Sequence, residues 1–309
     1  MEAAVLKEYG TPEFGEFPEP VDKPGFEVVE VGAATLNAVD VAIAAGTHVL
    51  RPTALPVVSG VEGVGTLADG RRVYFGRSAA PFGSMAQRTL VDGDSLIDLP
   101  DTVTDPVAAA VGNAGLAALM PLSWQAGLRP GERVLVLGAT GVVGRLAVQA
   151  ARLLGAGTVV AAGRDVAALA DLRELGADTT VRLDEAGLVE RFREAAGGGV
   201  DVIIDYTWGE PAVAALHAGA VGVRWVQIGD RANGEVVLPS ALLRALGATI
   251  YGYTPMNAPA DTRRAAYLQL VDWAAAGDLR VDFEAVPLRE VSQVWHRERS
   301  SRRKLVLVP

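Results

Sequence analysis

Residues 131–164, GERVLVLGATGVVGRLAVQAARLLGAGTVVAAGR, constrain this chain more than any other stretch. An apolar β-type run, Val134-Leu135-Val136-Leu137, enters a glycine turn, Gly138-Ala139-Thr140-Gly141-Val142-Val143-Gly144. A helix-like segment follows, with apolar positions at Leu146, Val148, Ala150 and Leu153, and closes at Gly155. A second apolar run, Thr158 to Ala162, completes a strand–helix–strand unit. Three glycines in this pattern say little by themselves. Here they follow a strand, open a helix and sit in a unit of roughly 30 residues, so they predict a turn whose backbone approaches a pyrophosphate at the helix N-terminus. Residues 138–144 are the expected dinucleotide cradle; the plainer alternative is a turn that only packs helix on sheet.

The end of the second strand bears on which dinucleotide. Sites that prefer NAD usually carry Asp or Glu there, about 20 residues beyond the turn, to accept hydrogen bonds from the ribose 2′-OH. At that distance from Gly144 this chain has Gly163 followed by Arg164. A carboxylate would repel a 2′-phosphate, whereas glycine leaves room and arginine offers a permanently charged planar fork. NADPH is therefore the expected cofactor. Arg164 as a solvated loop charge, and Asp165 as either a helix cap or a ribose acceptor, stay open.

At 309 residues the chain is long enough for two domains. Half the residues are hydrophobic and 21% are charged, a globular balance, and the net charge of −9 argues against nucleic acid or an anionic membrane surface as a partner. With no cysteine, disulfides, thiolate chemistry and cysteine-ligated zinc are excluded. The opening MEAAVLKEYG lacks an apolar signal core and reads as a strand, which makes cytoplasmic residence the expectation. The uncharged run Pro106 to Leu128 is broken by Gly112, Asn113, Gly115, Pro121 and Gly127, so it predicts a buried helix rather than a membrane span.

Before about residue 110, short β-type segments alternate with Pro and Gly clusters: Ala3–Leu6, Glu27–Ala33, Val64–Leu67, Arg72–Phe75 and Ala86–Val91. From about Asn113, strands alternate with Ala/Leu/Arg-rich helices, as in a doubly wound parallel sheet, with later strands at Val181–Leu183, Val202–Asp205, Trp225–Ile228 and Thr249–Tyr253. A helix around Arg263–Ala276 and a strand Lys304–Val308 close the chain. An inserted nucleotide domain would place the active site in the cleft between domains.

Several stretches, in order, resemble the zinc-independent medium-chain dehydrogenases/reductases of the quinone oxidoreductase branch. They are the opening strand, the N-x-x-D element at Asn37–Asp40, the Gly46 turn, the G-x-E-x-x-G element at Gly60–Gly65, the glycine turn, the Leu175-Gly176-Ala177-Asp178 corner, Val202–Asp205 and the closing Lys304–Pro309. The resemblance implies a Rossmann doubly wound sheet, residues 113–253, inserted into a GroES-like, partly barrelled β domain, residues 1–112 and 254–309. It also implies an NADP-dependent oxidoreductase, a small-molecule substrate and a homodimer paired through the edge of the nucleotide-domain sheet.

Two departures sharpen the reading. Val61 stands where zinc alcohol dehydrogenases of the superfamily place a histidine ligand, and the chain has no cysteine for the other, so no metal is expected. Relatives often carry a tyrosine eight residues after the N-x-x-D aspartate, another two residues after it and an arginine nearby; here His48, Ala42 and Ala44 stand there. His48, as proton donor or substrate contact, and Asn37, as a polar contact near the nicotinamide, are the catalytic candidates. The cofactor candidates are Gly138, Ala139, Thr140, Gly141, Val142, Val143, Gly144, Gly163, Arg164, Ile228 and Gly229, with Trp208, Tyr251 and Tyr253 expected at the substrate. Asp40 is expected to cap the following helix, while Lys304 and Asp205 remain possible cofactor contacts. The expected reaction is metal-free hydride transfer from NADPH to a quinone, enone or other activated C=C. Reduction of C=O or C=N, a biosynthetic dehydrogenase, and a non-catalytic NADPH-binding sensor or structural protein are the alternatives.

Overall fold

Most of the short strands in the N-terminal third are buried along most of their length, and they pair into two sheets that share a core. The computed structural model describes residues 1–309 and divides into two compact units, Met1–Ala114 with Tyr267–Pro309, and Gly115–Ala266. The first unit contains β1 (Glu2–Leu6), β2 (Glu13–Glu16), β3 (Phe26–Thr35), α1 (Ala38–Ala44), β4 (Val57–Val58), β5 (Gly63–Thr66), β6 (Arg72–Phe75), β7 (Arg88–Asp92), β8 (Ile97–Asp98) and α2 (Asp105–Ala110). Helix α3 (Asn113–Met120) leads out of it.

The second unit runs β9 (Arg133–Leu137), α4 (Val142–Leu153), β10 (Thr158–Gly163), α5 (Val166–Asp171), β11 (Thr179–Arg182), α6 (Leu188–Ala195), β12 (Val200–Asp205), α7 (Gly209–His217), β13 (Gly219–Gln227), α8 (Ser240–Leu246) and β14 (Thr249–Gly252). The boundary back falls inside α9 (Ala260–Ala276), and β15 (Phe283–Pro287), α10 (Val291–Val294) and β16 (Lys304–Val308) complete the first unit. The return to the first unit thus comes at Ala266 rather than at the expected Tyr253. The segment after β14 stays with the second unit: Arg263 donates to the carbonyls of Pro255 and Ala258, and the Tyr253 hydroxyl donates to Leu116 O at 3.0 Å.

In the first unit a seven-stranded sheet runs β15-β16-β3-β5-β6-β8, with β7 also paired to β3, and β2-β1-β4 form a second, three-stranded sheet. Their core includes Leu6, Val29, Phe75, Met85, Trp295 and Leu307. β15 escaped the sequence reading because its five residues, FEAVP, end in proline; Pro287 is tolerated at the strand end, where β15 pairs in parallel with β16.

The second unit is a six-stranded sheet in the order β11-β10-β9-β12-β13-β14, every pair parallel. That is the doubly wound order, and the central strands are continuous apolar runs because helices cover both faces. β13 is longer than its predicted Trp225–Ile228 core; its start, GAVG, has glycines that mask a strand, and the pairing with β12 shifts register between Val200 and Val202. β14 leaves one strand edge unpaired.

The predicted buried helix over 106–128 breaks into α2, α3 and a π-type turn at Pro121–Gln125, in which Ala126 N donates to Pro121 O. Pro121 has no N–H, so Ala117 O loses its usual partner four residues on. The Tyr206 hydroxyl supplies the missing donor at 2.9 Å, and burial pushes that phenol well above its ordinary pKa, which keeps the donated proton in place. No helix is long and apolar enough to cross a membrane.

Candidate active site

The cradle predicted at residues 138–144 lies at the C-terminal end of β9. Gly138 has φ 81° and both Gly138 N and Ala139 N donate to Ala162 O, at 3.0 and 2.9 Å, which ties the turn to β10. Gly144 is fixed by a close approach: a Cβ there would lie 2.3 Å from Gly138 O and 2.6 Å from Ala139 Cα. Gly141 is the N-cap of α4, so no side chain caps the first-turn N–H groups of Val142, Val143 and Gly144. A Cβ on Gly141 would meet nothing nearer than Gly138 O at 3.6 Å. An uncapped helix start with open space before it fits a pyrophosphate, whose charge the aligned N–H groups and the helix dipole would stabilise. The Ala139 side chain is fully buried and its N–H is committed to Ala162 O, so this residue shapes the turn rather than supplying a free donor.

Gly163 has a different neighbour from the one expected. A Cβ at this position would fall 2.5 Å from Thr140 Cγ2, so the glycine makes room for the turn's own threonine rather than for a ligand directly. Arg164 is exposed beyond it, and Asp165 caps α5, accepting from Ala168 N at 3.1 Å.

The neighbouring strand ends carry the other candidates of this unit. Asp205 is fully buried and saturated: Oδ1 accepts from Thr207 N, Thr207 Oγ1 and Trp208 N at 2.8–2.9 Å, and Oδ2 from Trp225 Nε1 at 3.1 Å. Burial raises its pKa, and these donors oppose the rise. Trp208 has φ 56° and ψ −165°, a conformation nearly reserved for glycine, and its ring lies 4.9 Å from that of Trp225. Ile228 N and Gly229 N both donate to Asp205 O, and a Cβ on Gly229 would lie 2.9 Å from Tyr206 O. Tyr251 is half-buried on β14 and Tyr253 is buried with its hydroxyl bonded to Leu116 O. Trp208 follows β12 and Tyr251 lies on β14, with β13 between those two strands.

In the first unit the N-x-x-D and G-x-E-x-x-G elements meet in a buried polar cluster. Glu62, 1% exposed, receives Thr35 Oγ1 (2.5 Å) and Asn37 Nδ2 (3.1 Å) on Oε1, and Tyr74 OH (2.8 Å) and Asn113 N (2.5 Å) on Oε2. The carboxylate thus sits at the N-terminus of α3, where the helix dipole favours it. Lys304, also buried, donates from Nζ to Leu36 O (2.8 Å) and Asn37 Oδ1 (2.5 Å). Burial lowers its pKa, opposed by the charges of Glu62, Asp40 and Glu298. Asp40 accepts from Asn37 N at 2.7 Å, the reciprocal half of a capping box, and from Val61 N at 2.9 Å.

Asn37 was expected to offer its amide to a ligand, but both ends of that amide are bonded within the unit. His48 follows α1 and is half-buried; its Nδ1 accepts from Leu50 N at 3.2 Å, which leaves the neutral ring's proton on Nε2. The sequence reading missed Glu62 as the centre of this cluster. The signal was present: Glu62 is the sole charged residue between Arg51 and Asp69.

A family profile described as zinc-binding dehydrogenase matches residues 142–274. Mouse quinone oxidoreductase is 30% identical over 76% of this chain and 75% of its own length. The chain belongs to the quinone oxidoreductase branch of the zinc-independent medium-chain dehydrogenases/reductases. The quinone oxidoreductase of Thermus thermophilus, solved alone and with NADPH, superposes over the whole of both chains with TM-score 0.83 and 29% identity. The two units are accordingly the GroES-like and Rossmann domains of that family. A mycocerosic acid synthase-like polyketide synthase of Mycobacterium tuberculosis is 32% identical over 72% of this chain, which spans only 11% of that protein's length. Despite the family profile's description, the donor set does not fit zinc. The ligand position is Val61, cysteine is absent, and no three His, Asp or Glu side chains gather where they would hold a metal ion.

Asp40 gives this member of the family a testable electrostatic signature. Burial raises its pKa from 3.8 to about 7, partly offset by the Asn37 N–H and by Lys304, while Glu62 adds to the rise. The folded state therefore holds a proton that the unfolded chain releases between those values, and Asp40's contribution to stability falls as pH rises from about 4 to 7. Urea unfolding across that range should show a steeper decline for the wild type than for Asp40→Asn. The variant should itself be less stable by about 1–3 kcal/mol, because its amide nitrogen faces a backbone donor. Parallel pH profiles for the two proteins would contradict this account of Asp40.

Proposed function

We propose that this chain binds NADPH in the Gly138–Gly144 turn and reduces a quinone, an enone or another activated C=C without a metal. The observation that carries this reading is the uncapped start of α4 behind a turn in which Gly144 admits no side chain. The NADPH complex of the Thermus relative supports the cofactor, and the absence of a carboxylate at Gly163 and Arg164 supports NADPH over NADH. Bound there, the nicotinamide supplies a hydride. The protein's share is orientation, a donor for the oxygen on which charge develops, and a proton. His48, with its proton on Nε2, is the group we assign to the substrate oxygen. Asn37 acts as a positioning residue, its amide holding Lys304 and Glu62 in register. The unpaired edge of β14 supports a homodimer with one sheet running through both copies, which light scattering would read as twice the monomer mass.

The deciding experiment is NADPH oxidation, after exhaustive chelation, against a quinone, an enone, an α,β-unsaturated thioester, an aldehyde and an imine. The thioester is included because of the polyketide synthase relatives. Turnover with one of the first three, undiminished by the chelator, is expected. Turnover confined to the aldehyde or imine would move the reaction to C=O or C=N, and none at all would favour a non-catalytic role. Activity lost to the chelator and restored by zinc would overturn the metal-free reading.

His48 is tested within the same assay. If it donates a proton in turnover, a role that requires the imidazolium and release of the Leu50 N–H from Nδ1, His48→Ala should lower kcat by about 10²-fold and His48→Gln nearly as much, with NADPH binding little changed. If it only positions substrate, Gln should restore much of the rate and Ala should act mainly on KM. A kcat/KM within about threefold of wild type for His48→Ala would remove both roles.

A further inference from the structure

Arg182 ends β11, the edge strand next to β10, and stands in register with Gly163. Residues paired in register on adjacent strands project to the same face of the sheet. Ala162 and Val181, one step earlier, belong to the core built with Phe192 of α6 and Leu216 of α7, so Gly163 and Arg182 face the other side. On that side stands Thr140 of the cradle, whose side chain fills the place of a Gly163 Cβ. Arg182 therefore leaves the sheet beside the strand end at which a Rossmann-type cradle holds the adenosine ribose.

Its present partners are carboxylates. Arg182 Nε and Nη2 donate to Asp184 Oδ1 and Oδ2 at 3.1 and 2.6 Å, and Nη1 lies 3.5 Å from Glu185 Oε1. The hydrogen bonds from Arg182 hold the Asp184 carboxyl below the usual carboxylate range, and the charge of Arg164 reaches it too. The one guanidinium bonded to this exposed carboxylate is that of Arg182, through both Nε and Nη2. Both side chains are solvated, so the pair gains little from its own attraction and separates readily. A phosphate monoester carries more charge and more acceptor oxygens than a carboxylate, and takes the same bidentate fork. A ribose hydroxyl cannot compete for it.

We propose that Arg182 is a second guanidinium of a 2′-phosphate subsite, held in place by Asp184 until the phosphate displaces that carboxylate. This rests on the assignment of NADPH to the Gly138–Gly144 turn and extends it to the neighbouring strand. Asp184 is then an internal competitor that lowers affinity for NADPH while leaving NADH untouched.

Calorimetric titration with NADPH, NADH and 2′,5′-ADP tests this on the wild type, Arg164→Ala, Arg182→Ala and Asp184→Asn, with thermal melting to confirm that each is folded. Arg182→Ala should weaken NADPH and 2′,5′-ADP by about tenfold and leave NADH within about twofold of wild type. Asp184→Asn should tighten NADPH and 2′,5′-ADP by about threefold or more, with NADH unchanged. A wild-type preference for NADPH that Arg164→Ala removes, but that neither other variant alters, would overturn the role of Arg182 alone. Weaker NADPH binding by Asp184→Asn would overturn the competition. Equal wild-type affinity for NADPH and NADH would overturn the cofactor reading beneath the proposal, and the proposal with it.

Discussion

A buried carboxylate that must have all its acceptor sites filled organises the GroES-like unit. Taking an ionised side chain out of water costs several kcal/mol unless hydrogen bonds replace the lost solvation. Glu62 collects four donors from separate parts of the chain: the end of β3, the segment before α1, β6 and the first N–H of α3. Each donor is thereby fixed relative to the others. Because Asn37 turns its Nδ2 toward Glu62, its Oδ1 faces the other way and receives Lys304. The direction of one amide thus sets where a buried cation at the start of β16 can stand.

In the Rossmann unit the corresponding constraint is the shared edge of a parallel sheet. All strands point the same way, so their C-terminal ends lie side by side, and loop residues far apart in sequence become neighbours. The glycine turn, Gly163, Arg182, the Asp205–Trp208 segment and Gly229 all lie there. Trp208 bears a cost at this edge, since its backbone conformation is unfavourable by roughly 1–3 kcal/mol for a residue with a side chain. The four hydrogen bonds accepted by Asp205, and the contact of Trp208 with the buried Trp225, hold it there.

Close packing accounts for why so much of this edge is glycine. Gly144 abuts Gly138 O, Gly229 abuts Tyr206 O, and Gly163 abuts Thr140, each at a separation that a Cβ would violate. The turn is therefore rigid where it meets the sheet and open only in front of Gly141. That combination, fixed backbone donors facing unfilled space, is what an anion site requires.

What the sequence by itself determined was local. Short apolar runs located β9, β10, β12 and β16 to within about two residues, because strand and helix periods are read over a few positions. The Gly138–Gly144 turn was legible for the same reason: its strand, its glycines and its helix are contiguous. Tertiary structure alone decided the rest, because it turns on partners distant along the chain. Nothing near Asn37 announces that Lys304 will occupy its amide, and nothing near Pro121 that Tyr206 will bond the carbonyl it frees. The register of β10 against β11 put Arg182 beside Gly163, although neither segment encodes that pairing alone. Hydrogen bonds and register are properties of two segments at once, and a single segment carries only half of each.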